Sequence, residues 1–201
     1  MIVISCNKEN NDFYLIKLSN DKEYKLSIET VLEYRLVKGK EITEVELENA
    51  ILNDLVNIWY NKALDYALKY NKTSFDTFKY LTEKKEVDND IAFKVVEKLK
   101  DKNIIDDYKI ALNKIYALAN NGNGKLLIEQ KLKNLGYPKN IIDKAMTNID
   151  LDSYYEGLEK MYIKAKKNYE KEENEYIRKQ KIIKYLLSRG YYLNEIKEFM
   201  D

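Results

Sequence analysis

The sequence predicts a mostly α-helical protein: three tandem three-helix units in an elongated array, preceded by a small N-terminal β-hairpin or sheet and a short helix. Three observations lead to this class. Proline occurs once and glycine six times in 201 residues, which suits long helices with short connections better than a turn-rich sandwich. From Thr43 onward the apolar residues recur with a helical period. A leucine-anchored pattern recurs at Leu81, Leu132 and Leu186, at spacings of 51 and 54 residues.

The first forty residues stand apart. Ile2-Val3-Ile4 and Phe13 to Leu18 are short β-prone runs, Ser19-Asn20-Asp21-Lys22 is a turn signal, and Tyr24-Lys25-Leu26 is a candidate third strand. Ser27 is placed to cap a short helix with Val31, Leu32, Arg35 and Leu36 at helical spacing and Gly39 as its stop. Thr43 and Glu46 form a capping box, since hydroxyl and carboxylate can each accept a bond from the other's backbone N–H. Leu47, Ile51, Leu55 and Ile58 then share a face, continued by Ala63, Ala67 and Tyr70, with Trp59 expected in the core near a joint between two helices.

Each anchor leucine closes a helix. Ten positions on come Ile91, Ile142 and Ile196, and fourteen on come Val95, Met146 and Met200. Position four is Gly136 and Gly190 in the last two copies, where a left-handed helix end needs no Cβ, but Lys85 in the first. Earlier helices are expected near 60–71, 107–120 and 153–170, the last with Tyr155, Leu158, Tyr162, Ala165 and Tyr169 on one stripe. These assignments divide the chain into 1–42, 43–105, 106–150 and 151–201. Short helices bury little alone, so stacked neighbours would share their cores.

The chain lacks the parts for most chemistry. It has no histidine and one cysteine, Cys6, read as a small buried hydrophobe in the first strand, so zinc, triad and internal disulfide chemistry lack their parts. Asn121-Gly122-Asn123-Gly124-Lys125 lacks the strand, spacing and Ser or Thr of a phosphate-binding loop, and reads as a helix–helix turn. Asp106-Asp107 points to two sides of a helix and reads as its cap. The 18 tyrosines are expected to be mostly core and boundary residues, not a base-stacking platform. Neither an enzyme nor any cofactor or metal is expected. The start, Met1-Ile2-Val3-Ile4-Ser5, is too short for a signal-peptide core, and no apolar run approaches the ~20 residues that span a bilayer, so a cytoplasmic monomer is expected.

Net charge is +1, unevenly spread. Residues 1–59 hold 7 basic and 11 acidic side chains, whereas residues 160–189 hold 10 basic against 4 acidic. Lys160, Lys164, Lys167, Lys171, Arg178, Lys179, Lys181, Lys184 and Arg189 are the candidate partner-binding residues, because a dense single-sign stretch can orient a protein on a charged partner.

Several segments are similar in order and spacing to RecX, the family that regulates the recombinase RecA. Lys62 to Tyr70 resembles the opening of the first RecX repeat, and Val96-Glu97-Lys98-Leu99-Lys100 through Ile104-Ile105-Asp106-Asp107, with Tyr108 and Ala111, resembles its close. Leu36-Val37-Lys38-Gly39-Lys40 matches the pre-repeat segment. Ile128-Glu129-Gln130-Lys131-Leu132 with Gly136 resembles the second repeat, and Tyr185 to Tyr191 the third. The resemblance implies an elongated helical-repeat protein that lodges in the groove of the RecA–DNA filament and depresses ATPase and strand exchange without being an enzyme. An Arg-rich stretch expected of the family is reduced here to Asn71-Lys72-Thr73-Ser74-Phe75, and the loop opening the second repeat is Asn/Gly-rich, so direct DNA binding is expected to be weak. Two other readings are a helix-turn-helix DNA-binding protein and a helical-repeat scaffold. The first would need a recognition helix dense in Arg, Lys, Asn or Gln, whereas 89–100 and 140–149 are too acidic or too apolar.

Overall fold

The computed structural model describes residues 1–200, which divide into two compact units, Met1–Ile105 and a second that begins at Asp106. The first opens with β1 (Val3–Lys8), β2 (Phe13–Leu18) and β3 (Glu23–Ser27), an antiparallel meander in the order β1-β2-β3 with Cys6 opposite Ile16 and Ile16 opposite Tyr24. Period-two alternation sends Ile16, Leu18 and Leu26 inward with Val3, while Ile2 and Ile4 face solvent. Cys6 is half-buried, and burial pushes its thiol up from its ordinary value.

Ser27 caps α1 (Ile28–Glu33) through the Thr30 N–H, as its sequence position suggests. The helix ends sooner than the spacing of Arg35 and Leu36 implies. Arg35 is left-handed at φ 49°, and the Leu36 N–H donates back to the Val31 carbonyl at 3.0 Å. That six-to-one bond closes the helix as glycine-ended helices do, here without glycine. Leu32 is left in solvent.

α2 (Glu44–Tyr70) starts at the expected box: Thr43 N–H donates to Glu46 Oε2 at 2.8 Å and Glu46 N–H to Thr43 Oγ1 at 3.1 Å. The Thr43 N–H and hydroxyl both donate to the Glu46 carboxylate and hold it below its ordinary range. The lead-in helix and the first repeat's opening helix are one continuous 27-residue helix, so there is no joint at Trp59, and Trp59 is half-buried. Nothing in 44–70 breaks a helix until Asn71 turns left-handed at φ 46°. α2 packs on α4 (Asn89–Asp101), with α3 (Ser74–Lys79) against α4 as the third member. Buried Asp54 accepts from the Ser27 N–H at 2.6 Å and from its hydroxyl, tying the end of β3 to α2.

α3 runs into a π-helical turn, Tyr80–Lys84, that the later copies lack. The extra residue explains why Lys85 is not a glycine. The Val87 N–H reaches back six residues to Leu81, whereas Tyr137 and Tyr191 reach back five, to Leu132 and Leu186. The left-handed residue is therefore Glu86, not Lys85. Downstream, the first copy shifts by one: Ala92, fully buried, takes the place of Ile142 and Ile196, while Ile91 is only half-buried.

The second unit holds two three-helix repeats: α5 (Asp107–Asn120), α6 (Lys125–Asn134) and α7 (Lys139–Met146), then α8 (Leu151–Asn168), α9 (Glu175–Ser188) and α10 (Leu193–Met200). Asp106 caps α5 by accepting the Lys109 N–H at 3.0 Å. The three anchors Leu81, Leu132 and Leu186 are all fully buried. On α8 the buried stripe runs through Tyr154, Gly157, Leu158 and Ala165; Tyr155, expected on it, is 41% exposed. Gly157 is needed there because a Cβ would lie 2.2 Å from the Ala119 carbonyl oxygen of α5. No described helix is long and apolar enough to cross a membrane.

Candidate partner-binding surface

The basic stretch of the last repeat lies on α8, α9 and the turn between them. Because α8 turns Tyr154, Leu158 and Ala165 inward, the 3.6-residue period puts Lys160, Lys164, Lys166 and Lys167 outward, and all four are exposed. α9 likewise buries Ile182 and Leu186 and leaves Lys179, Lys181 and Lys184 in solvent. Lys171 on the connecting turn is exposed, whereas Arg178 and Arg189 are half-buried.

Two of these cations are partly neutralised. Lys160 lies 3.8 Å from Glu156, and Lys181 lies 2.5 Å from Glu172, whose carboxyl that bond holds below its ordinary range. Among the described residues, Lys164, Lys167, Lys171, Lys179 and Lys184 have no carboxylate within ion-pair distance. Lys166, Lys167 and Arg178 converge with Glu170 and Ile182 around a hollow of about 500 Å³ between α8 and α9. Lys166 was visible in the charge count but not among the candidates, and its place beside Arg178 depends on how the two helices pack.

Arg189 serves the packing between the two repeats. Its carbonyl accepts the Gly124 N–H at 2.8 Å, the Gly190 carbonyl accepts the Leu126 N–H at 3.1 Å, and its guanidinium reaches the Asn121 carbonyl at 3.4 Å. The first N–H groups of α6 have no partner within their own helix, and the α9–α10 turn supplies two. Only glycines allow this approach. A Cβ on Gly124 would meet the Gly190 backbone at 2.2 Å, and one on Gly190, itself at φ +88°, would meet Leu127 at 2.5 Å.

Beside this backbone seam lies a polar lock. Glu195, 8% exposed, accepts from Lys125 Nζ at 2.7 Å, from the Tyr154 hydroxyl at 2.8 Å and from the Tyr192 N–H at 3.1 Å. Burial pushes its carboxyl up, but these three donors outweigh that and hold it below the ordinary carboxylate range. Burial and the Glu195 bond push the Tyr154 hydroxyl well above its ordinary value. Lys125 Nζ also sits 4.8 Å from the Tyr154 ring centre. Seam and lock join the two repeats into one body, so the lysines of α8 and α9 stand on a fixed platform. Among the described residues no group of three or more His, Cys, Asp or Glu could hold a metal ion.

The family model described as "RecX, third three-helix domain" matches residues 152–200, the repeat that carries this surface. The regulatory protein RecX of Clostridioides difficile (strain 630) is 33% identical, over 96% of this chain and 91% of its own. That of Streptococcus uberis is 28% identical over 92% of this chain and 70% of its own. A crystal structure of regulatory protein RecX aligns with a TM-score of 0.76 at 23% identity, covering 100% of this chain and 98% of that one. The crystal structure of RecX from Lactobacillus salivarius aligns at 0.66 over 74% of this chain.

Proposed function

Because this chain belongs to the RecX family of regulatory proteins, we propose that it is a non-enzymatic modulator of the recombinase RecA, one that binds the RecA–DNA filament and depresses ATPase and strand exchange. The observation that carries the reading is the set of exposed lysines without carboxylate partners on α8, α9 and their connecting turn, within the repeat that matches the family model. An ammonium already paired must give up that partner to bind another, whereas Lys164, Lys167, Lys171, Lys179 and Lys184 need not. Arg178 and Lys166 add charge at the hollow, while Lys160 and Lys181 contribute less because Glu156 and Glu172 offset them.

No group in this surface acts as acid, base or nucleophile. Its chemistry is complementary charge and shape, which governs the rate and register of association more than raw affinity. A filament carrying DNA phosphates or acidic side chains would feel these cations together, and helices packed through the Gly124–Gly190 seam present them without a further cost of ordering the backbone. Co-sedimentation with RecA filaments, with and without nucleotide, tests the reading. The chain should pellet with the filament and remain in solution without it; recovery in the supernatant under every condition would overturn the proposal.

A further inference from the structure

The first unit carries a hollow of a different kind. Along α2 the spacing of Trp59, Lys62, Asp65, Tyr66, Lys69 and Tyr70 keeps all six on one face of the helix. The π-helical turn, a local irregularity frequent at functional sites, brings Tyr80 and Lys85 to the same place. Tyr80 is stacked on Tyr66 with centroids 3.9 Å apart and planes 6° from parallel, and Tyr70 lies 5.6 Å from Tyr66. These residues surround about 400 Å³, within the range of small-molecule sites.

The charges in this hollow are not paired with one another. Asp65 stands three residues after Lys62 and four before Lys69, spacings at which ion pairs ordinarily form on a helix. Both ammonium groups lie over rings instead. Lys62 Nζ is 4.4 Å from the Trp59 ring centre and Lys69 Nζ 5.3 Å from that of Tyr70, while Lys85 Nζ is 5.5 Å from Tyr80. Among the described residues neither these three lysines nor Asp65 lies within ion-pair distance of an opposite charge. The hollow therefore offers three unpaired cations, flat rings and one free carboxylate.

We propose that it is a site for a free guanine nucleotide, a guanosine di- or triphosphate. The base lies against Trp59 and Tyr70, Asp65 accepts from its N1–H and 2-amino groups, and Lys62, Lys69 and Lys85 take the phosphates. Guanine presents two adjacent N–H donors to a carboxylate. Adenine and cytosine present an amino group beside a ring nitrogen that a carboxylate repels, and uracil flanks its one N–H with carbonyls. Inorganic polyphosphate would leave the rings without a partner and set Asp65 against like charge, and an acidic peptide would do the same. The site lies in the unit that does not hold the basic last repeat, and the inference does not rest on the RecA reading.

Trp59 is the chain's single tryptophan, so its fluorescence reports on this hollow alone. GTP titrated into the full chain should quench it saturably. ATP, CTP, UTP and guanosine without phosphates should each bind about tenfold more weakly or less. Asp65→Ala should lower GTP binding about tenfold, to the level of ATP, and leave ATP binding unchanged. The pair Lys69→Gln and Lys85→Gln should weaken GTP and ATP alike, because it removes phosphate contacts and not the reading of the base. Asp65, Lys69 and Lys85 are exposed, so the melting curves of these variants should stay in place. Absence of saturable quenching by GTP, equal binding of GTP and ATP, displacement of GTP by an equal concentration of inorganic triphosphate, or undiminished GTP binding by either variant would each overturn the proposal. RecA and DNA are absent throughout, so such a failure leaves the filament reading standing.

Discussion

Replacing Glu195 probes the lock between the last two repeats. In Glu195→Ala the Tyr154 hydroxyl, on a side chain with no exposure, loses its acceptor, while Lys125, with 27% of its side chain exposed, can turn to water. An orphaned buried hydroxyl costs about 1–3 kcal/mol, and the lost charge-assisted bond and Tyr192 cap bring the total to roughly 3–5 kcal/mol. Glu195→Gln keeps one oxygen for Tyr154 and Tyr192 and loses chiefly the Lys125 bond, about 1.5–3 kcal/mol. Tyr154→Phe removes a donor but leaves the carboxylate with two, so about 0.5–1.5 kcal/mol is expected. Urea unfolding followed by circular dichroism gives all three values. The pH dependence has a definite sign: because the folded carboxyl lies below its ordinary value of 4.5, its stabilisation is complete above that value and is lost as pH falls through the folded one. Wild type and Glu195→Gln should therefore converge in stability in that acid range and separate above it. A loss under about 1 kcal/mol for Glu195→Ala, or wild-type and Gln curves parallel at every pH, would refute the lock.

Three further substitutions test the packing. Leu132→Ala, at an anchor with no exposure, should cost roughly 2–5 kcal/mol in the same unfolding assay, and a loss below about 0.5 kcal/mol would contradict its core position. Gly190→Ala and Gly39→Ala share a left-handed backbone (φ +88° and +87°), but a Cβ meets Leu127 in the first and nothing within 4 Å in the second. Both should lose about 1–2 kcal/mol to the backbone, and Gly190→Ala about 1–3 kcal/mol more to overpacking. Equal losses would mean that the seam between repeats yields.

Local signals in the sequence were readable. The Thr43–Glu46 box and the Ser27 and Asp106 caps each depend on residues within a few positions of one another, the anchor leucines on a repeated spacing, and each stands where the pattern implies. Non-local features were not readable. Lys125 and Glu195 are 70 positions apart, and as exposed-type residues on separate helices they give no hint of pairing. Tyr154 and Tyr155 are adjacent and chemically identical, and it is the close crossing at Gly157 that turns the first inward. The π-helical turn is a single added residue, too small to disturb the leucine spacing but enough to shift Ile91 off its expected place. The tyrosine contacts are equally non-local: Tyr154 and Tyr191 are core, while half-buried Tyr66 and Tyr80 stack on each other from separate elements.

The most direct test of the functional account is the ATPase rate of RecA filaments in the presence of the triple variant Lys164→Glu, Lys167→Glu, Lys171→Glu. All three lysines are exposed and without ion pairs, so the unfolding midpoint should move by no more than about 0.5 kcal/mol in stability. The wild type should suppress the ATPase. The variant should suppress it less, with the gap widening at low salt, and a control reversed at Glu44 and Glu48 should behave as wild type. Undiminished suppression by the triple variant would place the contact on another face, and a wild type that leaves the ATPase unchanged at every salt concentration would contradict the account.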